Sequence, residues 1–235
     1  MREERLNRMA MLLNEQQLLR LQKARVAVFG LGGVGSACAE ALARGGIGEI
    51  DLIDGDTVSV SNLNRQLVAT VSEIGQLKTE AMKRRLADVA PDVITRCHSL
   101  FYLPDNAETV PLESYQYVVD AVDTVSAKLE LIRRCSMLSV PLICCMGTGN
   151  RLDPSMLRTG MLFSTQEDPL ARVMRHEVRK LGIKDVQVVW SSEKPVPMLR
   201  SDPSSPRSPG SVSFVPPAAG LMLAGKVIRD IAEVT

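Results

Sequence analysis

The chain is poor in aromatic residues, which make up 3% of its 235 positions, with a single Trp. It has two His and five Cys, and no two cysteines stand in a Cys-x-x-Cys pair, so a structural zinc site of the usual spacing is excluded. No run approaches the roughly 20 apolar residues that a spanning helix needs, which excludes an integral membrane protein and leaves no membrane partner. The charged segment 1–8 leads into no apolar stretch, which argues against a secretory signal. Cys38, Cys97, Cys135, Cys144 and Cys145 form an odd set within apolar runs, as expected of reduced, buried thiols in a cytoplasmic protein. Lys+Arg (28) and Asp+Glu (27) nearly cancel to a net charge of +1, so binding of a polyanion would have to rest on local charge.

What is present is a 45% hydrophobic, 23% charged chain of globular type. Residues 3–23 carry leucines at helical spacing opposite Arg2, Arg5 and Arg8, predicting one helix that precedes the main domain as an arm. The spacing then predicts strand 25–29, a glycine turn 30–35, helix 36–44, strand 49–53, helix 76–89, strand 93–98, strand 117–122, helix 126–138 and strand 141–146. Strands alternating with helices imply parallel crossovers, hence an α/β, Rossmann-like doubly wound, mostly parallel sheet. Polar segment 55–73 is long for a plain connection and points to function. Later come strand 157–163, helix 169–181 opened by Asp168 and Pro169, strand 185–190, a Pro/Ser-rich exposed loop over 192–210 and an apolar docking helix over 218–231. The organisation is therefore an N-terminal helical arm (1–24), an α/β core (25–150) and a C-terminal extension (151–235).

Gly30-Leu31-Gly32-Gly33-Val34-Gly35 lies between a predicted strand and helix, where glycines allow close approach to phosphate and a helix N-terminus offers free N–H groups. Asp54, 19 residues past Gly35, ends the second strand, where a carboxylate meets ribose hydroxyls. These features alone leave NAD and ATP both open. Chemistry at the α-phosphorus of ATP needs cations to offset triphosphate charge. Arg65 and Lys78 are candidates, and Asp123, beyond the fourth strand, is placed to hold Mg2+.

The arm Arg5-Leu6-Asn7-Arg8, the glycine turn, Asp54-Gly55-Asp56, Ser61-Asn62-Leu63-Asn64-Arg65-Gln66, Gly75-Gln76-Leu77-Lys78 and Ala121-Val122-Asp123-Thr124 resemble the ThiF-type adenylation domain of the ubiquitin-activating enzyme superfamily, in order and spacing from about residue 5 to 149. The resemblance implies that Asp54 of the Asp54/Asp56 pair binds ribose, that Asn62 is a further nucleotide contact, that Arg65 and Lys78 contact phosphates, and that Asp123 holds Mg2+. In members that form symmetric dimers the arm arginine reaches the partner's triphosphate, so Arg8 becomes a candidate in trans within a homodimer.

Beyond that core, the stretches 115–128, 146–154, 166–175 and 212–220 are similar to the tRNA threonylcarbamoyladenosine dehydratases over nearly the whole chain. This likeness implies ATP-dependent cyclisation of threonylcarbamoyladenosine beside the anticodon of tRNA, with ATP and Mg2+ as cofactors and tRNA as partner. It leaves open a monovalent cation at the Gly147 to Arg151 turn and a sulfur-relay protein partner. Absences agree with it: no cysteine follows Cys145 to accept an acyl group, and the zinc pairs of many carrier-protein activators are missing. The alternatives are adenylation of the C-terminus of a small ubiquitin-like or sulfur-carrier protein, and a non-catalytic partner subunit.

Blander readings stand beside these. Arg65 and Lys78 also suit surface charges, Asp123 also suits a helix cap, and Lys128 fits a helix surface as well as a site. Cys144 and Cys145, following a strand, read as core. Segment 169–210 carries eight cations against four anions, and Arg172, Arg175 and Arg179 share a helix face suited either to solvent or to a phosphate backbone.

Overall fold

The computed structural model describes residues 2–200 and 208–234. Asp202 and Arg207, counted above in the local charge, lie outside the described residues.

The arm is divided where one helix was expected: α1 (Arg2–Leu6), a 3-10 turn (Met9–Met11) and α2 (Glu15–Lys23). Asn14 is extended and its side chain accepts the Gln17 N–H at 2.9 Å, while the Gln17 side chain accepts the Asn14 N–H at 3.0 Å. This reciprocal cap satisfies the start of α2 and stops a helix arriving from the N-terminal side. Leu6 and Leu21 are buried, and the Arg5 guanidinium donates to Asp92 at 3.0 Å and to the Ala43 carbonyl at 2.9 Å, which ties the arm to the body.

Seven strands follow: β1 (Arg25–Phe29), β2 (Glu49–Ile53), β3 (Ile94–His98), β4 (Tyr117–Asp120), β5 (Leu142–Cys145), β6 (Leu157–Met161) and β7 (Gln187–Ser191). They form one sheet in the order β3-β2-β1-β4-β5-β7-β6, parallel throughout except for the antiparallel β6–β7 pair at one edge. The expected doubly wound α/β class is present. β7 pairs directly with β5, so the sheet continues past residue 150. Cys144 and Cys145 lie within β5, inside the expected strand 141–146, and stand opposite Val188 and Val189 of β7.

Period-two alternation sends the two sides of each strand into different cores. Val26, Val28, Ile50, Leu52, Val119 and Ile143 pack under α2, α3 (Gly35–Arg44), α4 (Lys78–Val89) and α7 (Val215–Ala232). Ala27, Phe29, Ile53 and Val118 pack under α5 (Val125–Leu138), while Cys144, Val188 and Trp190 meet α6 (Pro169–Lys180). α7 lies against α3 so closely that a Cβ on Gly220 would stand 2.2 Å from the Val34 carbonyl oxygen. Only glycine admits that approach. Among the described residues no helix is long and apolar enough to cross a membrane.

Candidate nucleotide site

The strand order reverses between β1 and β4, and open α/β sheets bind ligands beyond the strand ends at that point. A cleft of about 560 Å3 opens there. Gly30 follows β1 with φ +84°, and a Cβ at that position would lie 2.6 Å from the Ala121 carbonyl that follows β4. The two strand exits are thus drawn together by a conformation and a proximity that glycine tolerates. Gly32 and Gly33 line the cleft beside Gly30. Gly35 does not; it is packed on the Gly30 carbonyl as the first residue of α3. The start of α3 has no side-chain cap, and Gly33 and Val34, which lead into it, line the cleft.

Asp54 accepts the Leu31 N–H at 2.6 Å and the Asp56 N–H at 2.8 Å, which fixes its carboxylate across the glycine turn. Burial pushes its carboxyl above the usual range, against the opposing pull of Lys78 and the two backbone donors. Asp56, exposed, accepts a hydrogen bond from buried Lys78 at 2.8 Å, so the lysine is held at the cleft by a carboxylate partner.

The polar segment after Asp54 is not structureless. It carries 3-10 turns at Val60–Asn62 and Val71–Glu73, and a bridge pairs Thr57 with Leu77. Asn62 is buried and accepts the Ser59 N–H at 3.0 Å, while half-buried Arg65 donates to the Ser61 carbonyl at 2.9 Å and the Asn64 side chain at 3.0 Å. Both line the cleft.

Asp123 is exposed at the cleft, with the Thr124 hydroxyl donating to it at 3.3 Å. No side chain caps α5, so the helix-cap reading of Asp123 fails. Among the described residues there is no cluster of three or more His, Cys, Asp or Glu able to hold a metal by themselves. One exposed carboxylate beside a phosphate-binding turn is a donor set that Mg2+ uses when nucleotide phosphates and water complete its shell. The residues therefore fit Mg2+ carried with a nucleotide.

Of the candidates, Gly30, Gly32, Gly33, Asp54, Asp56, Asn62, Arg65, Lys78 and Asp123 are brought to one cleft. Arg8 is not; it lies exposed on the arm, outside that lining. Several lining residues had been given no role. Gln66 is buried with its carbonyl oxygen unpartnered, and Phe101 is exposed by 60% despite the scarcity of aromatics. Pro209, Ser211 and Pro216 reach the cleft from the far end of the chain. Gln66 stood inside a motif already noted; for the others no local pattern pointed to the site.

No cysteine lines the cleft. Burial pushes Cys135 and Cys145 up to about 12, and Cys144 well above the ordinary thiol, so none is a poised thiolate. The arginine stripe on α6 is partly engaged: Arg175 donates to the Thr165 carbonyl at 2.9 Å and Arg179 lies over the Phe163 ring, while Arg172 is exposed.

Known proteins resemble this chain in sequence and in fold. The chain is 38% identical over 234 residues to the tRNA threonylcarbamoyladenosine dehydratase of Bacillus subtilis, covering 94% of this chain and 92% of that one. Its structure is similar to E. coli tRNA N6-threonylcarbamoyladenosine dehydratase, TcdA, in complex with AMP, with a TM-score of 0.90, 32% identity and coverage of 98% and 95%. The complex of the same enzyme with ATP gives a TM-score of 0.87 at 33% identity, with the same coverage. The ThiF family model matches residues 6–232, and the chain belongs to the ThiF family.

Proposed function

We propose that this chain is an ATP-dependent tRNA threonylcarbamoyladenosine dehydratase that cyclises the modified adenosine beside the anticodon. The observation that carries the reading is a single cleft holding a phosphate-binding glycine turn, Arg65, Lys78 and Asp123 but no cysteine. An enzyme so equipped can activate a carboxylate with ATP without passing the acyl group to a thiol in that cleft, which suits release of AMP by a nucleophile of the substrate itself. The similarity to dehydratases over nearly the full length of both chains supports the same choice.

In this reading the threonyl carboxylate attacks the α-phosphorus of ATP and pyrophosphate leaves. Asp54 orients the ribose, and Asn62 and Asp56 hold the loop that presents Arg65 and Lys78 to the phosphates. Those two cations offset charge on the leaving group. Mg2+, when bound at Asp123, neutralises phosphate oxygens. The ureido group then attacks the activated carbonyl, through its oxygen or through the nitrogen on the adenine, either of which closes a five-membered ring; the acyl–phosphate bond breaks, AMP leaves and a ureido N–H gives up its proton. Tethering makes this step intramolecular, so no side chain has to form a covalent intermediate.

The protein acts as a homodimer in this proposal, with Arg8 delivered to the partner's cleft. Support comes from the arm and the loop beside the cleft, where Met11, Leu12, Val60 and Val71 are all more than two-thirds exposed. A cytoplasmic location and contact of Arg172 with the tRNA backbone belong to the same reading.

The test is to incubate the purified protein with MgATP and tRNA bearing threonylcarbamoyladenosine, following AMP and the nucleoside mass. The expected result is tRNA-dependent AMP with loss of one water from the nucleoside. No AMP and no mass change overturns the reading. AMP formation driven instead by a carrier protein ending in Gly-Gly assigns the site to protein activation.

A further inference from the structure

The helix following Asp123 contains a charged pair that the mechanism above leaves unused. Lys128, on α5, and Asp120, the last residue of β4, are both fully buried with side-chain exposures of 0%. The lysine ammonium donates to Asp120 Oδ2 at 3.0 Å and to the Cys145 carbonyl, at the end of β5, at 2.7 Å. Asp120 Oδ1 meanwhile accepts the Val122 N–H at 3.1 Å. Burial pulls the Lys128 pKa down, but its surroundings, with the Asp120 carboxylate foremost, together outweigh it and hold the ammonium above the ordinary lysine value.

The position of this pair is more informative than its strength. Replacing a buried ion pair by apolar groups of similar shape is often neutral for stability, so stability alone does not account for it. β4 and β5 are adjacent strands, and each runs from this clamp directly into a wall of the cleft. Residues 121–124, which include Asp123, leave Asp120; Thr148 and Gly149 lie a few residues beyond Cys145. The Ala121 carbonyl also lies against Gly30, so the same clamp borders the phosphate-binding turn.

We propose that Lys128 is a positioning residue for the nucleotide site, fixing the two walls at residues 121–124 and 146–149 and so setting where the Asp123 carboxylate stands against the triphosphate. The proposal rests on the reading of this cleft as an adenylation site with Asp123 as its metal ligand. Lys128 itself touches neither the nucleotide nor the metal. Its side chain is enclosed, it is not part of the cleft lining, and its two hydrogen bonds go to the ends of β4 and β5.

The informative variant is the double substitution Asp120→Asn with Lys128→Met. Lys128→Met alone leaves a buried carboxylate without its cation and is expected to unfold much of the protein. The double variant removes both charges and keeps both shapes, and circular dichroism and thermal melting establish that it folds. ATP dissociation constants are then measured with and without Mg2+, alongside AMP formation with modified tRNA. We expect metal-free ATP affinity within about twofold of wild type, because Asp54 and the glycine turn are untouched. The affinity gained on adding Mg2+ is expected to vanish, as in Asp123→Ala, and AMP formation to fall by about tenfold or more, the size associated with a misplaced reacting group. Adding Asp123→Ala to the double variant is expected to change the Mg2+ dependence of ATP affinity little further, since both act there through one carboxylate.

A folded double variant with wild-type Mg2+ enhancement and turnover overturns the proposal. If Asp123→Ala itself keeps the Mg2+ enhancement, the metal assignment is what fails, and the double variant's turnover alone decides the positioning role. If wild type makes no AMP, the substrate reading fails, and the Mg2+-dependent binding still decides the role of Lys128.

Discussion

The Lys78 ammonium lies 2.8 Å from Asp56 Oδ2, and the lysine is buried while the aspartate is exposed. At the cleft a buried cation is thus turned toward an anion, a surface carboxylate whose place a triphosphate can take. Burial keeps the lysine's four-carbon stem in place, and the exchange of partners requires only a shift of its head group.

Lys78→Ala is therefore expected to lower AMP formation by about 10²-fold, the size seen when a preorganised electrostatic donor is removed. Asp56→Asn, which frees the lysine without removing it, should change the rate by less than Lys78→Ala does. Steady-state rates of tRNA-dependent AMP release compare the two. Equal losses would show that the pair, rather than the cation, matters.

Arg8 provides a test of the dimer. Neither Arg8→Ala nor Asp123→Ala is expected to be active alone, but mixed subunits should recover activity, because a heterodimer has one cleft with both groups intact. Random exchange gives about a quarter of the wild-type rate. The assay is AMP formation after mixing the two purified variants, and a mixture as inactive as its parents would place Arg8 outside the reaction.

Asp51 sets a pH dependence of folding. It is fully buried in β2, and its carboxylate accepts from Arg25 at 2.7 Å, His98 at 2.8 Å and Tyr115 at 3.0 Å. Burial would raise its carboxyl, but these hydrogen bonds outweigh it and hold the group below the ordinary value. A carboxyl depressed in the folded state adds stability above its unfolded value of about 4 and loses that stability as pH falls through the folded value. Urea unfolding between about pH 7 and pH 3 should show wild type losing stability in the acid window, with Asp51→Asn less stable at neutral pH and flatter below it. Parallel curves would mean that the network does not govern acid sensitivity.

Gly220 links the C-terminal helix to the nucleotide turn. Alanine favours a helix interior over glycine by about 1 kcal/mol, so propensity alone would make Gly220→Ala stabilising. The Val34 carbonyl, 2.2 Å from the added Cβ, is backbone and cannot rotate away. The collision should win, at about 1–3 kcal/mol of lost stability. Since Val34 lines the cleft, ATP affinity should fall as well. Thermal melting and ATP binding check the two consequences, and a variant of unchanged affinity would uncouple α7 from the site.

Much of the site was legible along the chain because its parts are local signals. A strand running into glycines and then a helix announces a phosphate turn, and Asp54, Lys78 and Asp123 each follow a strand or open a helix, while Arg65, in the loop between β2 and α4, was marked by its motif. The expected single arm helix failed for a local reason too: Asn14 and Gln17 cap each other, a pair that spacing of leucines does not weigh.

The sequence by itself determined the order of elements, the doubly wound sheet and the residues that meet at its switch point, because periodicity and turn chemistry act over neighbouring positions. Only the tertiary structure decided that Lys128 is enclosed rather than on a helix surface, that Lys78 rests on Asp56, and that Pro209, Ser211 and Pro216 return to the cleft. Burial and charge pairing depend on which distant segments the sheet brings side by side. For Lys128 those segments are the ends of β4 and β5, and nothing within a few residues of position 128 specifies them.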